Sequence, residues 1–186
     1  MSREEQEARF LPHGSGTDLV LSAGQQETWL AWMRVMLRLS YEMNHQLRRD
    51  SGLSLHDYDV LNALADSPRH RLQLTGLAAR ISWERSRLSH HLKRMSERGL
   101  VQRAPSPSDR RATDAVLTDA GRAALLAATP AHARFIRTVV FGGLDPAVLL
   151  PLRIALGQIH EQLLTFATLP HPGPPQHHLA GLQASE

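Results

Sequence analysis

Between residues 85 and 94 the chain places Arg85, Ser86, Arg87, Ser89, His90, Lys93 and Arg94, a dense run of hydrogen-bond donors. Guanidinium, ammonium, hydroxyl and imidazole groups in such a run suit contact with base edges and phosphates rather than bond breaking. On a helix, about 100° per residue gathers Ser86, His90, Lys93 and Arg94 on one face, with Arg87 and Ser89 on its flanks and Arg85 nearer the far side. Leu88, Leu92 and Met95 form the opposite, apolar face. A helix lying in a major groove offers mainly its N-terminal half to bases. Arg85, Ser86, Arg87, Ser89 and His90 are therefore candidates for base contacts, and Lys93 and Arg94 for phosphates. A second basic group, Arg110 and Arg111, follows Asp109; its guanidiniums suit the negative potential of a narrow minor groove. Asp109 cannot itself bind phosphate and is expected to hold an arginine through a charge-assisted bond.

The charge distribution supports a polyanionic partner. The formal net charge is only +3, but Arg69 to Arg122 holds 12 basic residues against 5 acidic ones, leaving the rest of the chain at −4. A basic segment inside a mildly acidic chain is the footprint of a module that neutralises phosphates and releases counterions. The competing explanation is a solvated helix face whose arginines meet only water.

The elements that must position these residues follow from pattern. Apolar residues at helical spacing (Trp29, Trp32, Met33, Met36, Met43, Leu47) predict a long helix from about 25 to 49, with Arg38 and Glu42 paired four residues apart. Ser54 and Asp57 form a capping arrangement before a short helix carrying Tyr58, Val60, Leu61 and Leu64, which ends at Ser67-Pro68. Another short helix is expected from 74 to 81. Ser82 is read as the cap of the donor-bearing helix, from Trp83 to Arg98, and Gly99 as its left-handed stop. Residues 100–104 and 113–117 read as strands around a Pro-Ser-Pro-Ser-Asp loop, so the loop projects as a wing. Thr118 caps a helix running to about Val140, with a kink expected at Pro130. Asp145 and Pro146 open a last helix reaching about Thr168.

In this order, Leu-Ala-Ala-Arg-Ile (77–81), Trp-Glu-Arg-Ser-Arg-Leu-Ser-His-His-Leu (83–92), Arg-Gly-Leu-Val (98–101), Asp-Arg-Arg-Ala (109–112) and Leu-Thr-Asp-Ala-Gly-Arg (117–122) resemble the MarR (multiple antibiotic resistance regulator) family over roughly residues 25–168. The wing pattern at the right distance from the Leu-Thr-x-x-Gly-Arg segment is the specific part. The resemblance implies a mainly α fold with a small β-wing, a winged helix-turn-helix flanked by dimerisation helices. Its divisions are a flexible N-terminal arm (1–22), a dimerisation helix (23–50), a winged helix-turn-helix DNA-binding domain (51–118), C-terminal dimerisation helices (119–168) and a disordered tail (169–186). The expected partners are double-stranded DNA carrying an inverted repeat and a second copy of the chain. Trp29, Trp32, Met33 and Met36, with Leu149, Leu150, Ile154, Ile159 and Leu163, independently offer more apolar surface than a winged helix of roughly 60 residues covers, which marks an association surface. A two-fold dimer sets its recognition helices about 34 Å apart, one DNA turn.

Family members commonly bind small aromatic or phenolic anions. Trp32, Met36, Tyr41 and His45 are candidates to line such a cleft, with Arg38 holding a carboxylate; a Trp and Met stripe at helical spacing is otherwise simply core.

The sequence also excludes. With no cysteine, disulfides, thiolate metal sites and thiol redox sensing are removed. No apolar run approaches the length of a membrane helix and residues 1–5 are too polar for a signal peptide, so a cytoplasmic protein is expected, with no membrane partner. Eleven histidines do not fall at metal-ligand spacing, and those at 171, 177 and 178 lie in the tail, so neither metal nor cofactor is expected. Three function classes compete: a DNA-binding regulator, a winged-helix adaptor making protein contacts only, and an enzyme. Against the enzyme stand the lack of a nucleophile with a base at useful spacing, a phosphate-cradling glycine loop or paired carboxylates.

Overall fold

The structure, a computed structural model, describes residues 20–107, 109, 111–166 and 168–169. Nearly all of the expected arm and tail, together with Ser108 and Arg110, lie outside the described residues.

Helix α1 spans Ala23–Ser51 and is longer than the apolar stripe alone indicates. Its start is set by a capping box: the Ser22 hydroxyl accepts from the Gln25 amide, while the Gln25 side chain accepts from the Ser22 N–H. Gly52, at φ 69°, closes it in the left-handed region. Arg38 and Glu42 do pair, at 2.6 Å, but in solvent, where such a pair adds about 0.5 kcal/mol or less. Helix α2, Leu55–Ala65, begins with the expected Ser54/Asp57 box. A short 3-10 turn, Pro68–His70, leads to a strand absent from the sequence reading, β1, Arg71–Gln73. Helix α3 is Leu74–Arg80 and α4, bearing the donors, is Arg85–Glu97.

The junction of α3 and α4 corrects one expectation. Ser82 does not cap α4. It has φ 55° and sits just past Ile81, the residue that caps α3, where its N–H bonds to the carbonyl of Ala79 and the Trp83 N–H to that of Ala78, the paired bonds of a Schellman motif. The physical reason is Trp83: only 8 % exposed, it is drawn into the core and leaves α4 to start two residues later, at Arg85, behind Glu84. Gly99 terminates α4 in the same way and as expected, at φ 73° with Leu100 N–H on Met95 O.

Strands β2, Val101–Pro105, and β3, Thr113–Leu117, form the wing, and the sheet order is β1-β3-β2, all antiparallel. Val101 faces Leu117 and Arg71 faces Val116. Arg71 stitches the three strands: its Nε lies 2.6 Å from Asp114 of β3 and its Nη2 donates to the Pro105 carbonyl of β2.

Thr118 caps helix α5, Asp119–Phe135, which runs on through Pro130 and changes winding only beyond it, in a π-helical turn at Ile136–Phe141. Asp145 caps a 3-10 turn, Pro146–Val148, that leads into α6, Leu149–Phe166; the two C-terminal arms meet at 97°. Gly121 explains the Leu-Thr-x-x-Gly-Arg pattern. A Cβ there would lie 2.0 Å from the Leu100 carbonyl oxygen, so only glycine lets α5 approach the start of the wing. Thr118 Oγ1 fastens the same joint, donating to Gly99 O and accepting from Gly121 N.

The core gathers Leu47 of α1, Val60, Leu61 and Leu64 of α2, Leu77 of α3, Leu88, Leu92 and Met95 of α4, Ala115 and Leu117 of β3, and Leu125 and Ala128 of α5. It lies under the winged segment. By contrast α6 buries none of its residues, and Trp29, Leu30, Val35, Met36, Leu37 and Tyr41 of α1 face solvent. Among the described residues no single helix is long and apolar enough to cross a membrane.

Candidate nucleic-acid interface

Helix α4 is held from behind and open in front. Leu88, Leu92 and Met95 are fully buried, as their spacing predicts, and that rotation turns Arg85, Ser86, Arg87, His90, Lys93 and Arg94 outward, with Ser89 half-buried at the flank. The donor set is thereby brought onto one accessible surface.

Two side-chain assemblies fix this surface, and neither was anticipated. The first centres on Asp57, whose carboxylate accepts from the Ser54 N–H and from Arg98 Nη1 at 2.7 Å, and lies 3.0 Å from His91 Nε2. Arg98 Nη2 also reaches the Gly52 carbonyl, so the end of α4 is tied to the end of α1. His91 is 7 % exposed. Arg94 Nη2 donates to its Nδ1 at 3.1 Å, which leaves the ring proton on Nε2, facing Asp57. Burial works to raise the Asp57 carboxyl, but the bonds from His91, Arg98 and Ser54 outweigh it and hold the group well below the usual carboxylate range.

The second assembly surrounds Arg87. Its guanidinium carbon lies 4.1 Å from the centroid of the Trp83 ring, and its Nη2 donates to His56 Nε2 at 3.3 Å. His56 meets Trp83 edge-on at 4.7 Å, and His91 does so at 5.3 Å. Burial, then the charge of Arg87, lowers the His56 pKa.

On the wing, Asp109 Oδ1 accepts the backbone N–H of Arg111, an Asx-type turn that shapes the loop tip. The contact described for Asp109 is with the main chain of Arg111, and the expected bond to an arginine side chain at Arg110 lies outside the described residues. Arg111 is exposed, while Arg110 lies outside the described residues. Arg103 of β2 is exposed too and extends the basic surface. It was missed because a single arginine in a short strand carries no local signal.

A cleft of about 510 Å³ opens between α2, the end of α3 and α5 with its π turn, lined among others by Tyr58, Asp59, Asn62, His132, Ile136 and Arg137. None of Trp32, Met36, Arg38, Tyr41 and His45 lines it. Met36, Arg38, Tyr41 and His45 are exposed along α1 and Trp32 is half-buried. His132 Nδ1 donates to Gln46 Oε1 at 2.8 Å, the Gln46 amide being oriented by Asp50, and burial lowers the His132 pKa. Burial pushes the Asp59 carboxyl up to about 6, against a smaller opposing pull from His91. Among the described residues no group of three or more His, Asp or Glu side chains is placed to hold a metal ion.

The sequence model of the MarR family matches residues 51–112, from the end of α1 to the wing. A MarR family transcriptional regulator from Streptomyces coelicolor, solved in complex with DNA, is 36 % identical with a TM-score of 0.76; the match covers 82 % of this chain and 96 % of that one. The chain belongs to the MarR family. A second MarR family regulator of Streptomyces coelicolor, AbsC, is 32 % identical at a TM-score of 0.73, covering 78 % of this chain and 98 % of its own. The Mycobacterium tuberculosis (M. tuberculosis) transcriptional regulator MosR, solved in complex with DNA, is 30 % identical at 0.56, covering 72 % and 95 %. No curated protein matches significantly. As a MarR-family transcriptional regulator the chain has a mainly helical fold with a winged helix-turn-helix, which agrees with the sequence reading.

Proposed function

We propose that this MarR-family protein is a homodimeric bacterial regulator, acting in the cytoplasm, that binds a palindromic operator in duplex DNA and responds to a small aromatic or phenolic anion. The observation carrying the DNA reading is the seven-residue donor surface of α4, six members exposed while Leu88, Leu92 and Met95 lock the opposite face. In this reading Arg85, Ser86, Arg87, Ser89 and His90 meet bases, Lys93 and Arg94 meet phosphates, and the wing tip with Asp109, Arg110 and Arg111 reaches the minor groove. That the relative from Streptomyces coelicolor at 36 % identity was solved on DNA supports it.

The dimer rests on the apolar faces of α1 and α6, which their own chain does not cover. The effector is assigned to the cleft at Tyr58, Asn62, His132 and Arg137, whose volume is within the range of small-molecule sites. Trp32, Met36, Arg38, Tyr41 and His45 lie outside this cleft, and we propose that they serve the association face.

The test is an anisotropy titration of the purified protein on inverted-repeat duplexes taken from beside its own gene, at two salt concentrations, with sedimentation in parallel. A dimer whose affinity falls steeply with salt is expected. A monomer indifferent to every duplex, or a dimer that captures proteins but no DNA, overturns the reading.

A further inference from the structure

We propose that Arg87 is a specificity-determining residue whose guanidinium is set in place before DNA arrives, by the face of Trp83 and the acceptor nitrogen of His56, so as to read a guanine in each half-site. The inference rests on the DNA-binding reading of α4 and names what one residue of that face recognises.

The argument is geometric. An exposed arginine normally samples many rotamers, and ordering it on a base costs conformational entropy. Arg87 is already ordered: it stacks on Trp83 at 4.1 Å and spends one of its five N–H groups on His56 Nε2 at 3.3 Å. Four donors remain for a ligand. A planar guanidinium with donors to spare matches the two acceptors, O6 and N7, that guanine alone presents side by side in the major groove. The support is itself packed: Trp83 is 8 % exposed, its N–H bonds to the Ala78 carbonyl, and His56 and His91 meet its ring edge-on. Trp83 and His56 are therefore positioning residues for Arg87.

The support is sensitive to protons. His56 accepts from Arg87 only while Nε2 is bare, and its Nδ1 has no hydrogen-bond partner, the nearest carboxylate oxygen being on Asp59 at 3.9 Å. The charged groups facing His56 are Arg87 and His91 of α4, Asp57 and Asp59 of α2, and Arg48 of α1. Burial and the positive charges of Arg87, His91 and Arg48 favour the neutral ring, and Asp57 opposes them. Protonation turns Nε2 from acceptor to donor and sets a cation against Arg87. The guanine preference is thus present at neutral pH and lost as pH falls below the ordinary histidine value.

The experiment is selection from a random-sequence duplex pool by the full-length protein, at pH 7.5 and pH 5.5, with the Arg87→Lys, His56→Gln and Trp83→Leu variants alongside. Wild type is expected to enrich inverted repeats with one fixed guanine per half-site, preferred on the order of tenfold at pH 7.5 and less at pH 5.5. Arg87→Lys keeps the charge and the salt dependence but loses that guanine. His56→Gln, whose amide oxygen still accepts but cannot gain a proton, keeps the guanine at both values of pH. Trp83→Leu loses it, circular dichroism reporting whether the variant folds. If Arg87→Lys selects the same sequences as wild type, or His56→Gln keeps the acid sensitivity of wild type, the inference fails. If wild type enriches nothing, it is the DNA-binding reading that fails.

Discussion

Nε2 of His91 lies 3.0 Å from Oδ1 of Asp57, and that approach ties the exposed donor face of α4 to the helix behind it. Because Arg98, the residue that closes α4, reaches the other oxygen of the same carboxylate, the middle of α4 and its C-terminal end share one anchor on α2. The rotation of α4 is therefore fixed by charge as well as by its leucines.

Asp57→Asn removes the charge from this anchor and leaves Arg98 and His91 facing a neutral amide. Asp57 is buried but the Arg98 side chain is 44 % exposed, so solvent screens part of the loss and the cost is about 2 kcal/mol, below that of a fully buried pair. The carboxyl is held below its unfolded value, so its contribution is complete above about pH 4 and fades as pH falls further toward the folded value. Urea unfolding of both proteins at neutral pH and at pH 3 checks this: the gap between them should narrow in acid.

Ser82→Gly should stabilise the protein by about 1 kcal/mol, because Ser82 adopts φ 55° and glycine occupies that region without the Cβ penalty. Thermal melts of the two proteins at one concentration decide it. A drop in melting temperature would mean that the left-handed turn is not the native one.

Gly121→Ala is expected to act in the opposite direction. Its new methyl would sit 2.0 Å from the Leu100 carbonyl oxygen, backbone that cannot rotate aside. Overpacking at such a joint costs about 1–3 kcal/mol, measurable as a lower urea midpoint with an unchanged m-value.

Lys93→Ala tests the assignment of phosphates to the second half of α4. Removing one phosphate contact from each half-site, two per dimer, should make the plot of log affinity against log salt shallower by about 1.8, and should weaken all duplexes alike without changing which sequence is preferred. An altered preference would move Lys93 into the base-reading set.

The helices and the buried face of α4 were legible because their information is local: Leu88, Leu92 and Met95 recur at helical spacing, and Gly99 and Thr118 are end signals readable from neighbours. The exposed donors followed from the same wheel. What escaped detection depends on contacts distant along the chain. Strand β1 is three residues long, too short for alternation to register, and exists through Arg71 and its pairing with β3. The role of His91 carried no local signal, since its partner Asp57 lies 34 positions away. Ser82 has the composition of a cap, but the pull of Trp83 into the core decides its backbone. The cleft joins α2, α3 and α5, so no single stripe could reveal it.

Helix α6 offers Leu150, Ile154, Ile159 and Leu163 to water and fully buries none of its residues against its own chain. If the proposed partner copy covers it, the element draws its order from that contact, and folding of this end and association become a single event. Dilution alone should then loosen α6, and the melting midpoint of the whole protein should climb with concentration by mass action.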